Sequence, residues 1–321
     1  MAIERARADA VSKPWGVVDT HPFRNPTVGD GPIGEIWYQR EGTDDLNSSL
    51  LLKLLFTSQP LSIQVHPDDS YAKSIGQRNG KTEAWYILSA APDAKIALGL
   101  KMHLTSRQLR DAIDDGSIAD LVAWRPVFAG DSFFVPAGTI HAIGGGLVLA
   151  EIQQRSDATF RIFDYGRNRE LQVDHAVAVS DARPADLQAH QTRVTLERMQ
   201  VVSNQFFVME RIELEPDSAW HLETDRETWL LGVSGDALVG LFTVAPGEAV
   251  FVQSDVLDIH AGSAGLIALV SYTGGPPLPR LLTRIEDNSD DHEALQNPAI
   301  DIVASEAGPK APTAQRSGIV Q

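Results

Sequence analysis

Short apolar runs separated by Gly, Pro, Asp and Asn dominate the first half of the chain. They are "GEIWYQ" at 34–39, "LLLKLLF" at 50–56, "SIQVH" at 62–66, "EAWYIL" at 83–88, "AKIALGL" at 94–100, "SFFVPAG" at 132–138, "LVLAEIQQ" at 147–154 and "ATFRIFDY" at 158–165. Their content of Val, Ile, Phe, Trp and Tyr, with turn formers between them, predicts strands. In "SIQVH" polar and apolar positions alternate, and a strand sends residues i and i+2 to the same face. Gln64 and His66 therefore share one side, and Ile63 and Val65 the other. Residues 104–125, "LTSRQLRDAIDDGSIADLVAWR", break the pattern and predict a helical insert. Thr105 and Gln108 have capping-box spacing, Leu109 and Ile113 continue at helical spacing, and a second turn is expected from Ser117.

After the polar stretch "SDARPADLQAHQ" the strand pattern resumes in "FFVMERIEL", "ETWLLGVSG", "ALVGLFTV", "EAVFVQ" and "LIALVSYTG". The two β-rich regions resemble each other. "KTEAWYIL" aligns with "RETWLLGV", placing Glu83 over Glu227 and Trp85 over Trp229, and "AGDSFFVPAG" aligns with "PGEAVFVQSD". The extra length between the two segments in the first region is close to that of the helical insert. Two copies of one antiparallel module are therefore expected, in a mainly β fold of closed or sandwiched barrels. The divisions are residues 1–185, carrying the insert, 186–285, and an acidic, then Ala- and Pro-rich tail, 286–321, expected to be loosely packed.

A net charge of −16 argues against nonspecific binding to nucleic acid or to an anionic membrane. It leaves room for a small anionic substrate, because salt screens the distant charges over roughly 8–10 Å. The absence of Cys excludes disulfides, thiol chemistry and thiolate ligands. "MAIERARADAVSKPWG" lacks the apolar core of a signal peptide, and no run approaches the roughly 20 apolar residues that span a bilayer. A cytoplasmic protein is expected, with its oligomeric state left open.

Gln64, His66, Glu83 and His141, the last in "VPAGTIHAIGGG", carry the donors that a divalent metal without thiolates uses. These are imidazole nitrogen, carboxylate oxygen and amide oxygen. Adjacent strands can bring such inward-pointing side chains together. Taken one at a time, Glu83 also suits a solvated strand and His141 a satisfied core position.

The segments "KPWG", "LSIQVHPDDSYA", "GKTEAWYIL" and "VPAGTIHAIGGGLVLAEIQQRSDATFRIFDYGR" together resemble the type I phosphomannose isomerase (mannose-6-phosphate isomerase) family of cupin proteins, in its short bacterial form. The likeness covers residues 13–180 well and the second β-region more weakly. It implies two cupin-like jelly-roll modules and one zinc per chain, held by Gln64, His66, Glu83 and His141. The N/O donor set also suits Mn, Co or Fe. The resemblance implies interconversion of mannose 6-phosphate and fructose 6-phosphate through a cis-enediol. Arg161 matches an active-site arginine, Lys81 a lysine implicated in catalysis, and Ser62 a serine near the substrate phosphate. Lys81 and Glu151 are the candidates for proton handling, Asp157 is a weaker one, and Arg167 is a candidate for the phosphate.

The second module departs from the pattern. Asp258 stands where His141 stands in the first, and Ala219 falls opposite Gln64 when His221 is set opposite His66. A degenerate supporting module is favoured over a second metal site built from His221, Glu223, Glu227 and His260. Two other functions stay open: an isomerase or epimerase of another sugar or sugar phosphate, and a non-catalytic sugar-binding cupin.

Overall fold

"LLLKLLF" fails to alternate because its strand is covered on both faces. All eight residues of Leu50–Thr57 are buried. Leu52, Leu54 and Phe56 enter a core shared with the C-terminal region, and Leu55 enters a core on the opposite face. The computed structural model that shows this describes residues 2–23, 31–40 and 47–285, and the tail expected to be loose lies outside them.

Among the described residues the strands form three antiparallel sheets. A six-stranded sheet runs in the order Arg7–Val17, Ile33–Gln39, Leu50–Thr57, Leu147–Gln154, Glu83–Ala90, Ser132–Val135. A five-stranded sheet runs Phe160–Phe163, Ile63–Val65, His141–Ile143, Lys95–Leu100, Val122–Pro126. Trp85, Ile87, Phe133 and Leu149 of the first meet Ile96, Leu98 and Ile143 of the second in one core. No ladder joins the two sheets among the described residues, so they form a sandwich.

The outer face of the five-stranded sheet is covered by helices. Ile63 and Val65 pack there with Leu109, Ile113, Ile118 and Ala176. The helical insert begins as expected, with Thr105 and Gln108 completing a capping box on Ser106–Asp114. A short turn follows at Ile118–Leu121. The insert ends sooner than expected, because Val122–Pro126 is a strand paired with Lys95–Leu100. Buried Val122 and half-buried Trp124 find their partners across that edge, a tertiary gain that helical spacing does not reveal.

The C-terminal eight-stranded sheet is built on two long strands, Ala219–Val239 and Ala249–Thr273. Thr228 pairs with both Val252 and Tyr272, so the first strand lies between the two arms of the second. The chain's first strand, Ala2–Arg5, joins this sheet beside Val250–Gln253. The internal likeness is visible in detail. Trp85 Nε1 donates to Glu83 Oε1 at 3.1 Å, and Trp229 Nε1 to Glu227 Oε1 at 3.3 Å. Gly130 and Gly247 both take positive φ at the matching turns. Glu227 serves a different partner from Glu83, accepting the backbone N–H groups of Ser49 and Leu50 at 2.7 and 3.0 Å. It thereby ties the second module to the first. No helix among the described residues is long and apolar enough to cross a membrane.

Candidate metal centre

Strand register assembles the site. His141 pairs with Gln64, and Gln64 pairs with Arg161 on its other side, so the three stand in one row across the five-stranded sheet. Opposite, Gln153 pairs with Glu83, and Glu151 lies between Lys53 and Trp85. Lys81 enters from the segment before Glu83, where its N–H donates to Pro67 O at 2.9 Å. Gly80 permits that approach, since a Cβ there would sit 2.5 Å from the Asp68 carbonyl carbon.

His66, Glu83 and His141 converge in the interior, each no more than 2% exposed. His66 Nε2 is 3.3 Å from Glu83 Oε2, and His141 Nε2 is 3.4 Å from Glu83 Oε1. Ligands about 2.0–2.1 Å from a tetrahedral zinc stand about 3.3–3.4 Å apart, so these separations fit that ion. His66 Nδ1 faces Ala158 O and His141 Nδ1 faces Thr139 O, both at 2.9 Å. A carbonyl only accepts, so each Nδ1 carries the proton and each Nε2 keeps its lone pair, as in ligating histidines. Glu83 Oε2 is buried without a well-directed hydrogen bond, although Lys81 Nζ lies 2.9 Å away. Among the described residues this is the one group of three or more His, Asp or Glu side chains close enough to hold a metal.

Charge and burial set the protonation states. Burial pushes His66 down to about 3, helped by the Lys81 charge and opposed by Glu83. Burial likewise lowers His141, against Glu83. Burial opposes ionisation of Glu83, but the Lys81 charge outweighs it and holds the carboxyl well below its usual range. Burial and the neighbouring Glu83 raise Glu151. Burial disfavours the Lys81 charge, yet Glu83 and Glu151 hold its pKa above the ordinary value.

A pH dependence follows for the metal-free protein. Below about pH 6.5 the unfolded chain protonates His66, while the folded protein, with this imidazole held down to about 3, keeps it neutral. Stability should therefore fall as the pH drops from about 6.5 towards 4, by up to about 1.4 kcal/mol per pH unit from His66, and the lowered His141 adds to the loss in the same direction. Glu151, with its raised pKa, binds a proton earlier when folded and offsets part of this loss. Melting curves from pH 7.5 to 4.5 in chelator test this, and His66→Gln should flatten the slope. A pH-independent melting temperature would refute it.

Gln64 and Lys81 connect this cluster to a cavity of about 210 Å³. Ser62, Glu151, Asp157 and Arg161 also line it, so the structure brings together all the expected site residues except Arg167. Arg167 donates to Pro60 O at 2.8 Å and pairs with Asp164, outside the lining. Arg169 does line the cavity, 5.0 Å over the Trp15 ring and held by Asp164 at 2.7 Å through Nε. Tyr165 and Gly166, both at positive φ, reverse the chain between Asp164 and these arginines. That turn decides which arginine faces inward. Lys13, Trp15, Glu35 and Lys53 also belong to the wall, unanticipated. Lys53 had a signal, being the single polar residue in "LLLKLLF". It lies 3.4 Å from Glu151 Oε1 and 4.5 Å from the Trp37 ring centre.

In the second module His221 pairs with Asp258 at 2.7 Å on the exposed face, where Glu223 and His260 also lie. Glu227 is buried at the module junction instead. The described residues hold no second cluster of this kind.

No family model matches the chain. The mannose-6-phosphate isomerase of Streptococcus mutans serotype c is 35% identical over 216 residues, 61% of this chain and 67% of that protein. The crystal structure of the mannose 6-phosphate isomerase from Bacillus subtilis superposes with a TM-score of 0.75 at 22% identity, covering 84% of this chain and 99% of that one. A zinc-bound mannose 6-phosphate isomerase structure superposes at 0.65 with 13% identity, covering 86% and 100%. Sequence kinship over two thirds of a relative, on a shared fold, carries the conclusion: the chain belongs to the mannose-6-phosphate isomerase family.

Proposed function

We infer that the protein is a metal-dependent aldose–ketose isomerase that interconverts mannose 6-phosphate and fructose 6-phosphate through a cis-enediol. The observation that carries this reading is the convergence of Gln64 with the buried His66–Glu83–His141 cluster at the edge of a cavity lined by basic groups. Lys13, Lys53, Lys81, Arg161 and Arg169 outnumber Glu35, Glu151 and Asp157 there, inside a chain of net charge −16. Such a local excess suits a sugar phosphate.

Gln64, His66, Glu83 and His141 would hold the ion, and zinc is the one that we place there. When bound it supplies Lewis-acid stabilisation of negative charge developing on the sugar oxygens. Glu151 is the base in this reading, because its raised pKa lies nearer neutrality and Trp85 Nε1 fixes its Oε2 at 3.1 Å. Lys81, kept as an ammonium by Glu83 and Glu151, donates a proton or holds the enediolate oxygen. Arg161 offers a guanidinium whose buried Nε has no protein partner, which suits an anionic substrate oxygen. Ser62 and Arg169 line the same cavity and are placed with the substrate. A cytoplasmic setting belongs to this reading.

A coupled assay of mannose 6-phosphate to fructose 6-phosphate conversion tests it on the protein as purified, after chelation, and after zinc is restored. Activity should vanish with chelation and return with zinc. Stoichiometric zinc without this activity would move the assignment to another sugar phosphate. Absence of both zinc and activity would overturn the catalytic reading.

A further inference from the structure

Ser62 stands two residues before Gln64, on the same strand face, and is only 2% exposed. Its hydroxyl donates to Gln64 Oε1 at 3.1 Å. The other end of that amide, Nε2, lies 3.3 Å from His141 Nε2. Because His141 Nδ1 is committed to Thr139 O, its Nε2 is the acceptor in this contact. The Gln64 NH2 group therefore points at the lone pair that a metal requires, and its oxygen points away from the cluster.

An amide binds a divalent cation through oxygen. Gln64 can join His66, Glu83 and His141 only with its amide reversed. The two ends are nearly equal in size, so a half-turn about the last side-chain bond exchanges them in place. A hydroxyl is both donor and acceptor. Ser62 can donate to Oε1 in one orientation and accept from Nε2 in the other.

We propose that Ser62 is a positioning residue for the metal centre, serving the Gln64 amide in both orientations so that its oxygen turns to the cluster when a divalent cation binds. The inference rests on the metal-isomerase reading above and gives Ser62 a role distinct from contact with the substrate phosphate. Loss of the hydroxyl leaves the reversed amide without its partner, and support of this kind to a ligand is worth about 10–100-fold in metal affinity.

The test is the zinc dissociation constant, measured by chelator competition on the full chain. Ser62→Ala should weaken zinc about tenfold or more, and Ser62→Thr should restore it to within about threefold of wild type. The Gln64→Ala background is the decisive control, since no amide remains there for the hydroxyl to position. In it Ser62→Ala should change zinc affinity by less than about threefold, whereas a general disturbance of the fold would persist in both backgrounds. Equal zinc affinity in wild type and Ser62→Ala overturns the proposal, as does a raised KM for mannose 6-phosphate at unchanged zinc affinity. Failure of the wild type to bind zinc overturns the metal reading beneath it, a separate result.

Discussion

His141→Ala should lower kcat/KM for mannose 6-phosphate by about a thousandfold or more, since charge stabilisation by a bound ion is worth several kcal/mol and each 1.36 kcal/mol is tenfold. The substitution removes a proposed ligand whose Nε2 lies 3.4 Å from Glu83 Oε1 and 3.3 Å from Gln64 Nε2, so zinc affinity should fall with activity. His141 is 1% exposed and packs against His66 and Trp85, so the smaller side chain also leaves a space beside the cluster. Imidazole can enter such a space, and partial recovery with imidazole plus zinc would separate loss of the ligand from loss of the fold. A variant that keeps zinc and activity within about tenfold of wild type would remove His141 from the centre.

The largest expected loss of stability lies far from the metal. Arg198 and Glu210 are fully buried in the second module and joined by two hydrogen bonds of 2.7 and 2.8 Å. Arg198 also donates to Leu278 O at 2.7 Å, and Tyr272 OH donates to Glu210 Oε1 at 2.5 Å. The network thus pins the segment after Thr273 against the sheet. Arg198→Met should cost about 3–5 kcal/mol, because it leaves the Glu210 carboxylate buried without its counter-charge. Adding Glu210→Leu should recover most of this, because the lone charge, more than the missing pair, causes the loss. Chemical denaturation of the two variants measures both effects. A single variant within about 1 kcal/mol of wild type would show that Glu210 finds another partner or is reached by water.

The strands around the site were legible because their chemistry is local. Alternation in "SIQVH" put Gln64 and His66 on one face, and the structure keeps Ile63 and Val65 on the other, against the helices. Capping at Thr105 was legible for the same reason. Arg7–Val17 was missed as a strand. Its polar edge residues carry little apolar signal, and its hydrogen bonds to Ile33–Gln39 come from a distant part of the chain. Its Lys13 and Trp15, quoted in "KPWG" only as part of a likeness, were missed as cavity wall for that reason.

What the sequence by itself determined is the alternating pattern that makes strands, the donor types that suit a metal without thiolates, and a family likeness that proposes a ligand set. Tertiary structure decided which basic groups face the cavity. The turn at Tyr165 and Gly166 sends Arg169 inward and Arg167 to Pro60. Register likewise set Lys53 beside Glu151, and it turned Glu227, the counterpart of Glu83, into a clasp for Ser49 and Leu50. The physical reason is range. Side-chain alternation acts over two residues, whereas the electrostatics of a buried site depend on which strands pair, and that depends on the whole core.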